Sequence, residues 1–157
     1  MISESDAAPK PGNCPDFAAV VRAALPVGSS SQGPGVRARF LRDLERVSKN
    51  PIVKIDILDI EVVFREARWP TLGVGIASGD NRPQRAAEQA FRATGYRCAS
   101  HALIVVAFAP GGMRNGEPKA AARPIFQQME EDCFVCVGAI EDEQLARGTI
   151  RVSVLLG

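Results

Sequence analysis

The chain has little of what would mark a metal centre, a redox site or a charged nucleic-acid surface. One His, one Trp and one Tyr occur in 157 residues, and 19 Lys and Arg against 18 Asp and Glu leave a formal net charge of +1. That balance supplies no field large enough to hold nucleic acid or an anionic membrane surface. No apolar run approaches the roughly 20 residues needed to cross a bilayer, and the strongest extends only from Ala102 to Ala109. The first residues lack the basic-then-apolar order of a secretory signal. Cys14, Cys98, Cys133 and Cys136 have no disulfide-framework spacing, and a chain of this length can bury a core without staples. These absences lead us to expect a cytoplasmic protein with reduced thiols, no metal, no cofactor of its own, and neither nucleic acid nor membrane as partner.

What is present has a clear order. Pro, Gly and Ser crowd the segment 1–35, which reads as a flexible leader. Within it, Asp16 to Leu25 can form a short helix, 16–25, with Phe17, Val20, Val21 and Ala24 on one face. Phe40, Leu41, Leu44 and Val47 recur at helical spacing and predict a connecting helix over 36–49, closed by Asn50-Pro51. The domain proper is expected over 50–157. There Asp56 suits the N-cap of a helix reaching Ala67, with Asp59 in its first turn, where the helix dipole favours an anion.

Leu72, Val74 and Ile76 alternate with Thr71, Gly73 and Gly75, the pattern of a strand closely approached by another element. Asp80 or Asn81 is expected to cap the next helix, with Pro83 in its first turn and an end near Ala93. His101 to Ala109 reads as a buried central strand. Pro118 to Glu131 reads as a helix disturbed by Pro124, with Ile125, Phe126 and Met129 facing inward. Cys133 to Ile140 and Thr149 to Leu156 are expected as two strands joined by an antiparallel return. The fold class is therefore α/β (an α+β mixed sheet): helices packed on a four-stranded, mainly parallel sheet with one antiparallel pair.

Few motifs point to chemistry. Cys133-Phe-Val-Cys136 has the gap of redox and zinc motifs, but on a strand a spacing of three sends the thiols to opposite faces, and no second pair accompanies it. Gly73-Val-Gly75 with Gly79 lacks the Lys-Ser/Thr ending of a phosphate loop, so strand packing explains it better. His101 has no recognised nucleophile motif beside it. Capping alone accounts for Asp56 and Asp59.

A resemblance adds what spacing cannot. Lys54-Ile-Asp56-Ile-Leu-Asp59-Ile60 resembles the Asn-x-Asp-x-x-Asp loop of the FtsZ cell-division GTPases. Gly73-Val-Gly75-Ile-Ala-Ser78-Gly79-Asp80-Asn-Arg82 resembles that family's G-x-G-x-A-x-G-x-x-R stretch, and Arg85-Ala-Ala-Glu88-Gln-Ala90 its A-A-E-x-A helix. Val135-Cys-Val-Gly138-Ala and Gly148-Thr-Ile-Arg151-Val-Ser-Val154 are similar to its last two strands. Together they are identified as the C-terminal domain of that tubulin-like family. No G-G-G-T-G-T-G signature occurs in the 157 residues, so no autonomous GTPase is expected, and Lys54 stands where the loop has Asn.

The resemblance implies a non-enzymatic protein that binds the nucleotide face of a tubulin-like filament subunit through Lys54, Asp56 and Asp59 and modulates or caps polymerisation. Its partner would be an FtsZ/tubulin-like GTPase or another filament protein, and GTP would be met only through that partner. The alternatives are an in-trans stimulator of GTP hydrolysis acting through Asp56 and Asp59, and a small-ligand-binding or assembly module reusing the fold, with homo-oligomers possible in either case.

Overall fold

Phe40, Leu44 and Val47 repeat at helical spacing and are all buried, so the helix that carries them, α1 (Pro34–Lys49), lies apolar side down on a sheet. The computed structural model describes residues 34–157, and the expected helix at 16–25 lies outside the described residues. After α1 come α2 (Ile57–Glu66), β1 (Thr71–Ser78), α3 (Arg82–Thr94), β2 (His101–Phe108), α4 (Glu117–Phe126), β3 (Phe134–Glu141) and β4 (Thr149–Leu156). None of the helices described is long and apolar enough to cross a membrane.

The sheet order is β1-β4-β2-β3, with β2 and β3 parallel and β4 antiparallel to both of its neighbours. Three strands therefore share one direction and β4 alone opposes them. The expected antiparallel return from β3 differs in one respect: β4 does not pair with β3. β1 and β2, joined through α3, stand two strand spacings apart, and β4 fills the slot between them with Gly75 opposite Val152 and Ile104 opposite Val154. The outer edge of β3 is partly taken by Val53, which bridges Ala139.

Side-chain alternation divides the core into two layers. Leu103, Val105, Ala107, Cys136, Ile140 and Leu155 face α1 and α2, meeting Phe40, Leu44, Val47, Ile60, Val63 and Phe64. Ala102, Ile104, Val106, Phe108, Val152 and Val154 face the other way, onto α3 and α4. The expected connecting helix 36–49 is thus part of the packed domain.

β1 shows why its glycines are there. A Cβ on Gly75 would run into the Ala86 carbonyl oxygen, and one on Gly73 into the Ala90 carbonyl oxygen, both on the α3 backbone. The small Ala86, Ala87 and Ala90 complete that close approach, each fully buried.

Three local expectations are corrected. Asn81 is the N-cap of α3 but sits in the left-handed region (φ 56°), and neither it nor Asp80 caps through its side chain, so the helix begins at Arg82 without that bond. The helix expected to reach Glu131 stops at Phe126. Pro124 lies within the helix and Gln127 N–H still donates to the Arg123 carbonyl, but the following amides turn to nearer carbonyls, Gln128 N–H to Ile125 and Met129 N–H to Phe126. Ile125 is buried and Met129 packs against the core, but Phe126, one step round the helix, is 57% exposed.

Candidate functional site

The segment between α1 and α2 is held at three points. Ile52 and Val53 N–H both donate to the Ala139 carbonyl, at 2.8 and 3.1 Å, and Ala139 N–H returns a bond to the Val53 carbonyl at 3.0 Å. Ile55 is 3% exposed and drops into the core where β3 has Gly138. A Cβ on Gly138 would sit 2.7 Å from Ile55 Cγ1 and would also collide with Val47, so the missing side chain makes room for both anchors. Asp56 then ends the segment with φ −68° and ψ 138°, its carboxylate accepting from Leu58 N–H at 2.8 Å. The sequence-based N-cap is therefore the one observed.

This pinning leaves Lys54, Asp56 and Asp59 exposed together. Asp56 spends one oxygen on the cap, whereas the Asp59 carboxylate makes no hydrogen bond or ion pair among the described residues. Ile52 and Val53, each 38% exposed, and Leu58, 62% exposed, lie beside them as an apolar fringe. The Asp59 carboxylate also reaches the electrostatic surroundings of Cys136: burial first, then that negative charge, push the Cys136 thiol up to about 11. Cys133 precedes β3 and Cys136 lies within it, and both are free thiols. No group of three His, Cys, Asp or Glu among the described residues is placed to hold a metal ion.

A cleft of about 410 Å3 opens where the segment leaves α1, lined by Arg46, Asn50, Pro51, Ile52, Glu141 and Glu143. Below it lies a buried ion cluster that the motif reading did not single out. Arg151, on β4, is 2% exposed and donates to Asp43 Oδ2 at 2.8 Å and to Asp142 Oδ2 at 2.7 Å. Asp43 belongs to α1, the helix that delivers the exposed segment, so the cluster ties that helix to the sheet. Burial pushes the Asp43 carboxyl above its ordinary value in spite of Arg151. Burial acts on Asp142 in the same direction, but hydrogen bonds from Arg151 and the Gln144 N–H outweigh it and hold that carboxyl low. A signal existed: Arg151 interrupts an apolar strand, and Asp43 lies three residues from Phe40, on the stripe that points inward.

A second cluster braces the opposite layer. Arg82 makes a two-toothed contact with Glu117, at 2.7 and 2.6 Å, donates to the Gly112 carbonyl at 2.7 Å and lies 5.9 Å from the Phe108 ring centroid. Burial opposes the Glu117 charge, yet the bonds from Arg82 and the Arg114 N–H hold its carboxyl below the usual range. His101 lies apart from both clusters, its Nδ1 2.8 Å from Ser100 Oγ and its ring tilted against Phe134.

The sequence and the fold both have counterparts among known proteins. Cell division protein FtsZ of Bartonella bacilliformis is 32% identical over 111 residues, covering 68% of this chain and 19% of that protein. Cell division protein FtsZ 1 of Rhizobium meliloti (strain 1021) is 33% identical over 114 residues, again 68% of this chain and 19% of the relative. An empty FtsZ dimer from M. jannaschii has the same fold, with a TM-score of 0.68 at 20% identity over 78% of this chain and 36% of that one. The chain carries a partial FtsZ-like domain. It spans about a fifth of the length of the first two relatives. No protein-family model matches it. In this FtsZ-like domain the segment Lys54–Asp59 leads into α2, which Asp56 caps and whose first turn holds Asp59.

Proposed function

We propose that the FtsZ-like domain docks on the nucleotide-bearing face of a tubulin-like filament subunit and modulates or caps polymerisation. The observation that carries this reading is the pinned, exposed segment in which Lys54, Asp56 and Asp59 stand beside the apolar Ile52, Val53 and Leu58. A charged group fringed by apolar side chains on a rigid backbone suits a partner surface, because little ordering entropy is lost on docking. Lys54 would face the phosphates as a compact point charge, and the two carboxylates would stand near the attacking water. These 157 residues carry no glycine-rich nucleotide signature, so this domain, docked by itself, would offer no nucleotide to a further subunit. Head-to-tail growth that meets an unmatched face stops there.

The test is addition of the chain to FtsZ from the same cell in the presence of GTP, with sedimented polymer and phosphate release followed together. The expected result is loss of sedimentable polymer, weakened by Lys54→Ala and by Asp56→Ala. Unchanged polymer and turnover at large excess would sink the proposal. A second reading, stimulation of the partner's GTP hydrolysis in trans, is favoured by one observation: the Asp59 carboxylate is exposed and unengaged among the described residues. It expects turnover per polymerised subunit to rise, and Asp59→Ala to abolish that rise while binding persists.

A further inference from the structure

Because β1, β2 and β3 share one direction, the loops that enter them emerge at one end of the domain. Those loops carry opposite charge. Arg68 and Trp69 precede β1, Arg97 precedes β2, and Glu130, Glu131 and Asp132 precede β3, all exposed. Among the described residues none of these five charged side chains takes part in an ion pair. The strand order spreads them from basic to acidic over three strand spacings, about 14 Å.

The surface is also stiff. Tyr96 Oη reaches the Arg68 and Trp69 carbonyls, both at 2.6 Å, and holds Trp69 with φ 50° and 88% exposed. Glu130 N–H donates to the Ala99 carbonyl at 2.9 Å and Phe134 N–H to the Ser100 carbonyl at 2.8 Å, which ties the acidic loop to the loop of Arg97. A tryptophan fixed in an unfavourable backbone region and turned to solvent is the kind of anchor found at the centre of interfaces. The ten residues of α2 stand between this end and Asp56, so it is distinct from the Lys54–Asp59 surface.

We propose that this end of the domain is an interface with a second copy of the chain, related by a two-fold axis. A face that is basic on one side and acidic on the other is complementary to itself when rotated by half a turn. Arg68 and Arg97 of one copy then meet Glu130, Glu131 and Asp132 of the partner copy, twice over, and Trp69 is covered. The occupant follows from the charge pattern, since a purely acidic or purely basic partner would satisfy only half of the surface. The inference does not depend on what docks at Lys54–Asp59.

Trp69 is the one tryptophan of the sequence and reports the contact directly. Sedimentation of the full chain from nanomolar to high micromolar concentration should show a monomer–dimer equilibrium weakened by salt, with Trp69 emission moving to the blue in step. Arg68→Glu with Arg97→Glu, and separately Glu130→Lys with Glu131→Lys and Asp132→Lys, should each weaken the dimer by at least about a hundredfold. Mixing the two reversed chains should restore a heterodimer, which also shows that both fold. A chain that stays monomeric at every concentration would overturn the proposal, as would a dimer that either reversal leaves intact or a mixture that does not pair. A monomer whose Trp69 emission shifts only on adding polyglutamate would assign the basic half to an acidic partner and overturn it equally.

Discussion

Replacing Arg151 by methionine removes a buried guanidinium while keeping much of its volume. Asp43 and Asp142 stay in place, their side chains 3% and 10% exposed, with the charge that held them gone. Breaking a buried ion pair from one side costs about 3–5 kcal/mol, a large part of the roughly 5–15 kcal/mol available to a whole domain. Urea unfolding followed by far-UV circular dichroism measures the loss directly.

The pH dependence separates electrostatics from packing. In the unsubstituted protein the two carboxylates act in opposite senses. Asp43 is raised, chiefly by burial, so its contribution is present below the ordinary carboxylate range and fades as pH climbs through its raised value. Asp142 is held low, so its contribution is present above that range and is lost as pH falls through its lowered value. Without Arg151 both carboxyls lose their chief counter-charge, and the Gln144 N–H bond to Asp142 and the Arg46 charge are left against burial and mutual repulsion, so both should move up. Protonation then relieves the variant, so the destabilisation should be largest at about pH 7 and shrink towards about pH 4. A loss equal at the two pH values would refute the electrostatic account and assign it to packing. A loss below about 1 kcal/mol at neutral pH would reduce the cluster to the rank of a surface salt bridge.

Gly75→Ala drives a methyl into the α3 backbone at Ala86, an obstacle that cannot rotate aside, and should cost about 3 kcal/mol and lower Tm by about 10 °C; an unchanged melting curve would mean that α3 can slide. Asp56→Ala should lose about 1 kcal/mol with the cap, whereas Asp59→Ala should stay within about 0.5 kcal/mol. Chemical denaturation checks both, and makes any functional loss at Asp59 separable from unfolding. Iodoacetamide at about pH 8 should label the exposed Cys98 well before Cys136, whose thiol is buried and pushed up to about 11; peptide mass spectrometry showing equal rates would contradict that burial.

Local sequence signals were readable wherever a single element decided the outcome. The Asp56 cap, the helical repeat of Phe40, Leu44 and Val47, and the apolar run of β2 each depend on neighbours a few residues away, and each is observed. The glycine alternation in β1 was readable too, because only close approach of another element explains small residues on one face of a strand. Pairing was less accessible. The place of β4 depends on the gap between β1 and β2 and on Val53 occupying the β3 edge, neither of which is encoded in Thr149–Leu156 itself. At α4, the pattern of Ile125, Phe126 and Met129 suggested one inward face, but the amides after Gln127 turn to nearer carbonyls and the helix ends before that face could extend.

The candidate site shows the same division, with a consequence for how it works. Lys54, Asp56 and Asp59 were singled out by the resemblance of their own short segment, but the residues that fix them lie elsewhere in the sequence. Gly138 lies on β3, and the Asp43–Arg151 pair spans 108 positions of sequence. Those distant residues hold the segment where it is: Gly138 admits Ile55 and Val47, Ala139 receives Ile52 and Val53, and Arg151 anchors α1 from below. Substitutions at Gly138 or Asp43 should therefore weaken docking without touching a partner, by loosening the backbone that presents the charges. A bulkier residue at Gly138 displaces Ile55 directly, so docking should fall there even in a variant that keeps a cooperative unfolding transition. Docking by Gly138→Ala that matched the unsubstituted chain, with the fold intact, would show that the segment's position is set by its own sequence and not by the sheet beneath it.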